Sequence, residues 1–189
     1  MKSVSIVYYS GRGHAEKLAE AANKGASSVD GINANLIKIN EADIVNGHYK
    51  NDETIKMLDE SDAIIFGTPT YMGGIAAPFK AFADASVGSW FQAKWKDKLA
   101  AGFTISGLPS GDKFSTLQYQ QTFAMQHGMI WISLGEKEAQ ENGVNRLGSW
   151  AGAMAQASND SPDKTPGTED KLTAELLGER VAKLVLRFN

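Results

Sequence analysis

Apolar and polar positions along this chain follow two alternating rhythms. Ser3 to Tyr9 is an almost unbroken β-branched and aromatic run, and Asp62 to Pro69, Leu99 to Ile105 and Met129 to Leu134 are further largely apolar runs. Runs of this length and composition fit strands covered on both faces. A shorter run, Asn35 to Ile39, supplies one more strand. Between the strands apolar residues recur at helical spacing: Ala15, Leu18, Ala19 and Ala22 in a helix over about 13–28, then a short helix around Asp52 to Glu60. Pro78 to Asp84 forms a third helix, with its proline in the first turn. Phe114 to Gln126 is closed by Gly128, and a last amphipathic helix runs from Thr168 or Glu169 to Arg187, with Leu172, Leu176, Val181, Leu184 and Val185 as its buried side. Five strands alternating with helices predict one α/β domain over 1–189, with a parallel sheet, right-handed crossovers, helices on both faces and ligands at the strands' carboxyl ends.

The first strand ends abruptly at Ser10-Gly11-Arg12-Gly13-His14, and a helix begins at once. The first N–H groups of such a helix lack partners and point out from the sheet edge, a geometry suited to a phosphate. Gly11 and Gly13 let the backbone curl around the anion, and the Ser10 hydroxyl can donate to it. A dinucleotide fingerprint is a poor match: Glu16 stands where the third glycine belongs, and the second strand ends in Lys38-Ile39-Asn40 without an acidic residue. Loops after the third and fourth strands meet the first at the same edge. One reads Pro69-Thr70-Tyr71-Met72-Gly73, the other Ser106-Gly107-Leu108-Pro109-Ser110-Gly111. Each alone is ordinary turn chemistry. Together they fit a ligand with a phosphate at one end and a hydrogen-bonding ring at the other.

Composition removes several alternatives. The chain has 19 basic and 22 acidic residues, a net charge of −3, and no basic cluster to hold nucleic acid. It has no cysteine, hence no disulfide, thiolate metal site or cysteine nucleophile, and its 3 widely spaced histidines do not form a metal motif. Met1 runs directly into the first strand, and no apolar run is long enough to cross a bilayer, so a cytoplasmic protein without membrane insertion is expected. The segment Gly135 to Gly167 is long, rich in Gly, Asn, Ser and Pro, and without periodicity; Trp150 and Met154 in it predict packing against something, such as a second subunit.

Several motifs in series carry a resemblance to a known family. Ser10, Gly13 and His14 match a Ser-x-x-Gly-His phosphate loop, and Gly67-Thr68-Pro69-Thr70-Tyr71-Met72-Gly73 matches Gly-(Ser/Thr)-Pro-Thr-x-x-Gly. An Ala-rich helix ending Phe79-Lys80-Ala81-Phe82, then Trp90, and finally His127-Gly128-Met129 follow in the same order. The chain resembles the flavodoxin-like proteins, and among them the tryptophan-repressor-binding-protein type of NAD(P)H:quinone oxidoreductase, or NADPH-dependent FMN reductase. The resemblance implies a five-stranded doubly wound sheet of order 2-1-3-4-5. It also implies FMN as cofactor, NAD(P)H as reductant, a quinone or similar acceptor, two-electron ping-pong transfer and a homo-dimer or homo-tetramer.

In this reading Ser10, Gly11, Arg12, Gly13, His14 and Ala15 hold the phosphate. Pro69, Thr70, Tyr71, Met72 and Gly73 contact the isoalloxazine ring, and Ser106, Gly107, Leu108, Pro109, Ser110 and Gly111 contact its pyrimidine edge and the ribityl chain. Trp90 and His127 resemble the residues that line the substrate side of the flavin, with His127 as a proton donor; the alternatives are core packing for Trp90 and a helix-terminal role for His127. Arg12 stands where these enzymes often carry an aromatic residue, and Tyr71 where they often carry Arg. A flavodoxin-type electron carrier and an FMN-binding redox-responsive regulator share the fold and the cofactor. A carrier is usually strongly acidic for docking, and −3 is mild.

Overall fold

The computed structural model describes residues 1–138 and 141–188. Its central strand β1 (Lys2–Tyr8) pairs in parallel with β2 (Ile32–Lys38) on one side and β3 (Ala63–Tyr71) on the other. Beyond β3 lie β4 (Leu99–Ser106) and β5 (Ile130–Trp131), both parallel, giving the order β2-β1-β3-β4-β5. This is the flavodoxin-like order expected from the sequence. β4 is buried along its whole length and β3 at all but Tyr71, as their continuous apolar runs require.

Alternation along the strands divides the core in two. Val4, Ile6 and Tyr8 of β1 face α1 (His14–Ser27) and α6 (Thr168–Val185). Val7 and Tyr9 face the other way, toward a cluster that includes Leu58 of α2 (Asp52–Asp59), Phe79 and Phe82 of α3 (Ala77–Ala85), and Phe123 of α5 (Lys113–Gln126). Between α3 and β4 a short helix that sequence periodicity did not mark, α4 (Val87–Phe91), carries Trp90. The stretch 43–50 contains a small hairpin pairing Ile44 with Tyr49 and Val45 with His48.

Two expectations need correction. The fifth strand is only two residues long rather than running to Leu134, because the chain leaves the sheet after Trp131. The fifth position is completed by β6 (Ala153–Gln156), which pairs in parallel with Phe103 to Ser106 of β4. Part of the long Gly135 to Gly167 segment therefore packs into this chain's own sheet. The Trp131 indole N–H, donating to the Ala151 carbonyl at 2.7 Å, pins the return. The second correction concerns α6. Its deepest face is Thr173, Ala174, Leu177, Gly178, Val181, Ala182 and Val185, while Leu172, Leu176 and Leu184 are only half-buried. Small residues turn inward here because α6 packs closely on α1.

Candidate functional site

The parallel strands β1, β3 and β4 end at one edge of the sheet, and the loops leaving them enclose a cavity of about 250 Å³ there. Ser10, Gly11, Arg12, His14 and Ala15 line it from the first loop, Pro69, Thr70 and Tyr71 from the second, and Ile105, Ser106 and Gly107 from the third. The Ser10 hydroxyl accepts the Glu16 N–H at 3.2 Å and so caps α1 from outside the helix, leaving its own hydrogen free to donate. The N–H groups of His14 and Ala15, in the first turn, have no acceptor within the helix. Gly13, which precedes that turn, has φ 86°, a conformation that disfavours a side chain. Gly11 is crowded from above: a Cβ on it would stand 2.8 Å from the Tyr9 hydroxyl and 3.0 Å from that of Tyr71. The Tyr71 ring therefore reaches across from the second loop to the first.

A fourth segment closes the cavity, and sequence reasoning did not name it. Ala157, Ser158 and Asn159 line the side facing the first loop. They follow β6 directly, and the ladder continues through the Ala157 N–H, which donates to the Ser106 carbonyl at 2.9 Å. The His14 ring Nε2 lies 2.8 Å from the Asp160 carbonyl oxygen, and Pro162 packs against Gly13. The available signal was the length of the Gly135 to Gly167 segment, since unstructured loops of that size inside a compact domain are uncommon unless functional.

The second and third loops reach the cavity only in part. Thr70 lines it, but its hydroxyl lies 2.8 Å from the hydroxyls of both Thr104 and Thr116, in a buried triad that ties β3 and β4 to α5. Met72 and Gly73 lie outside the lining, because the chain turns away through two positive φ angles, 48° and 77°. Leu108, Pro109, Ser110 and Gly111 also fall outside it. The carbonyls of Leu108 and Pro109 are drawn instead to the ammonium of Lys113 on α5, at 2.9 and 2.8 Å.

Trp90 and His127 come together, but not at this cavity. They line a second one of about 360 Å³, with Tyr119, Phe123, Ser86 and Asp84 among its other walls. α5 starts at the third loop and runs back antiparallel to the strands, so its last residue lies about 20 Å from its first. His127 follows that last residue. Asp59, just before β3, gathers the same end of the molecule, accepting from Ser89 at 2.6 Å and from the Trp95 indole at 2.8 Å and pairing with Lys94 at 3.0 Å. His127 stacks on Trp95 with ring centroids 4.1 Å apart, and its Nε2 lies 2.9 Å from the Ser86 hydroxyl. Burial pushes its pKa down to about 4, against the weaker upward pull of Asp59, so the ring is neutral near pH 7.

The residues present fit FMN. Donors without helical acceptors and a free serine hydroxyl suit a phosphate, while Pro69, Tyr71 and Ile105 offer apolar surface suited to a ring. Similarity to known proteins points the same way. A protein named flavodoxin FldP, from Pseudomonas aeruginosa, is 37% identical over 190 residues, 97% of each chain. A protein named NAD(P)H dehydrogenase (quinone), from Geobacter sulfurreducens, is 31% identical over 202 residues, 99% of each. The crystal structure described as a flavodoxin, WrbA-like protein from Agrobacterium tumefaciens, superposes with a TM-score of 0.79 at 40% identity, covering 100% of both chains. Residues 4–138 match the model of one family, and the chain belongs to it: the NADPH-dependent FMN reductases.

Proposed function

We propose that this chain is an FMN-dependent oxidoreductase that passes two electrons from NAD(P)H to a quinone or similar acceptor, the two substrates binding in turn. The observation that carries the reading is the cavity at the sheet's carboxyl edge. Its phosphate end is built from uncommitted donors of α1, and its ring end from Pro69, Tyr71 and Ser106. FMN, when bound, would supply the hydride and two-electron transfer chemistry. The protein binds and orients. The His14 and Ala15 N–H groups and the Ser10 hydroxyl hold the phosphate, with Arg12 adding positive charge at the mouth. Tyr71 covers the ring beside the first loop, and the Ser106-Gly107 backbone borders the opposite wall. Exposed Trp90 and Phe91 on α4 support self-association, and use of NAD(P)H by a chain without cysteine supports a cytoplasmic setting.

The test is an anaerobic titration of the FMN-loaded protein with NADH and with NADPH. Bleaching of the flavin by either nucleotide, with the colour restored by benzoquinone, is the expected result. A second reading, an electron carrier, is favoured by the 37% identity to a protein named flavodoxin. It predicts that neither nucleotide bleaches the flavin while dithionite does. A protein that binds no FMN at all would overturn both.

A further inference from the structure

Lys113 opens α5 directly after the third loop, and it is 1% exposed. An ammonium at this position is opposed twice: burial strips its hydration, and the helix N-terminus carries positive partial charge. Among the described residues no carboxylate is a hydrogen-bond partner of its Nζ. Asp170, on α6, is the acidic group felt there, but both its oxygens are committed to Arg146, at 2.7 Å each. Instead Lys113 Nζ donates to the Ser106 hydroxyl oxygen at 2.8 Å and to the carbonyls of Leu108 and Pro109. Ser106 spends its own hydrogen on the Leu108 carbonyl, 3.0 Å away. The third loop is thus folded around one buried cation.

That cation stands one residue behind the cavity. Ser106 lines the cavity and Lys113 does not, so the hydroxyl that receives the ammonium's hydrogen bond forms part of the wall. A hydride delivered to a ring in the cavity brings negative charge, and a fixed positive charge in a low-dielectric wall favours the charged state at no cost of reorganisation. We infer that Lys113 is a positioning residue for the flavin: it fixes the third loop and, through Ser106, biases the site toward reduced, anionic FMN over oxidised FMN. The inference rests on the FMN reading given above.

The experiment compares the full-length wild type with Lys113→Met and Lys113→Arg. It measures the dissociation constant of oxidised FMN and the two-electron midpoint potential of the complex, which together give the affinity for reduced FMN. Lys113→Met is expected to shift the preference against reduced FMN by about tenfold, a potential lower by about 30 mV for a two-electron couple. Lys113→Arg, which keeps the charge, restores most of it. A preference unchanged in Lys113→Met overturns the inference even if FMN binds more weakly overall, because a loop that is merely loosened affects both redox states alike.

Should Lys113→Met not fold, the wild type decides. Burial pushes the Lys113 pKa down to about 8, with Asp170 raising it and Arg146 lowering it further. New negative charge in the cavity raises it again, so proton uptake on reduction rises as pH climbs toward the Lys113 pKa. Uptake that rises nowhere between pH 7 and pH 10 overturns the inference. A wild type that binds no FMN sinks the underlying reading as well; every other outcome bears on Lys113 alone.

Discussion

Gly178 of α6 approaches Ala22 of α1 so closely that a Cβ on the glycine would stand 1.9 Å from the Ala22 carbonyl oxygen. The contact is reciprocal, since a Cβ on Gly25 of α1 would stand 1.9 Å from the Glu175 carbonyl oxygen. Backbone meets backbone at both points, and neither can yield by a rotamer change. Gly178→Ala therefore forces the two helices apart. Overpacking of this kind costs about 3 kcal/mol, and the better helix propensity of Ala returns about 1. Urea unfolding should show a net loss of about 2 kcal/mol, and melting should drop by about 6 °C. A variant within 0.5 kcal/mol of wild type would mean that the helices are less closely packed than described.

The same contact shows where the sequence was silent. Large apolar residues announce a buried face, so Leu172 and Leu176 drew the inner face of α6 toward themselves, whereas the closest packing is made by Gly and Ala, which carry almost no hydrophobic signal. Strands buried on both faces were the easiest to read: the runs ending at Tyr9 and Pro69 lie within one or two residues of β1 and β3. The first loop's place at the cavity was legible because an abrupt strand-to-helix switch with Gly11 and Gly13 leaves few other geometries. The contribution of Ala157 to Asn159 was not, because it depends on a two-residue β5 giving way to β6 more than 20 residues later, and no local pattern encodes that return. Trp90 and His127 line one cavity together, but the direction of α5 carries them to the far end of the sheet from the first.

Arg146 and Asp170 hold that return in place. Asp170 is 1% exposed, takes both hydrogen bonds of the Arg146 fork, and accepts the Gln156 N–H of β6 at 2.9 Å. Removing the arginine leaves a buried carboxylate without its counter-charge. Arg146→Leu is expected to lower unfolding stability by about 3 kcal/mol. Arg146→Leu combined with Asp170→Leu should recover part of that loss, since no charge is then stranded. A single variant costing under 1 kcal/mol would show that the pair contributes little.

His127 gives the fold a pH dependence of calculable sign. Its pKa is near 6.5 in the unfolded chain and is pushed by burial down to about 4 in the folded protein. At pH 7 the ring is neutral in both states. As pH falls through 6.5 the unfolded chain takes up a proton that the folded protein does not, so stability declines until about pH 4, where the folded ring protonates too. The group's total contribution is about 3 kcal/mol. Unfolding free energies measured every half unit from pH 7 to 4 should fall less steeply in His127→Asn than in wild type. Parallel curves would exclude His127 as the source.

The first loop offers a test of the cavity that is separate from the fold. Gly13 has φ 86°, and a Cβ there would meet Pro162 at 3.0 Å, beside the first turn of α1. Gly31, at φ 85°, is a matched control: its Cβ would meet only Leu186 at 3.8 Å, and it lies in the turn before β2 at the opposite edge of the sheet. A left-handed conformation imposed on alanine costs about 1–3 kcal/mol at either position. Gly31→Ala should therefore lose stability by this amount, and Gly13→Ala by at least as much, since its Cβ also presses on Pro162. Only Gly13→Ala should also weaken FMN binding, by about tenfold, or about 1.4 kcal/mol, because its strain is relieved by moving the N–H groups proposed to hold the phosphate. Fluorescence titration of each folded variant with FMN reads this directly. Equal FMN affinity in the two would place the phosphate somewhere other than the first turn of α1.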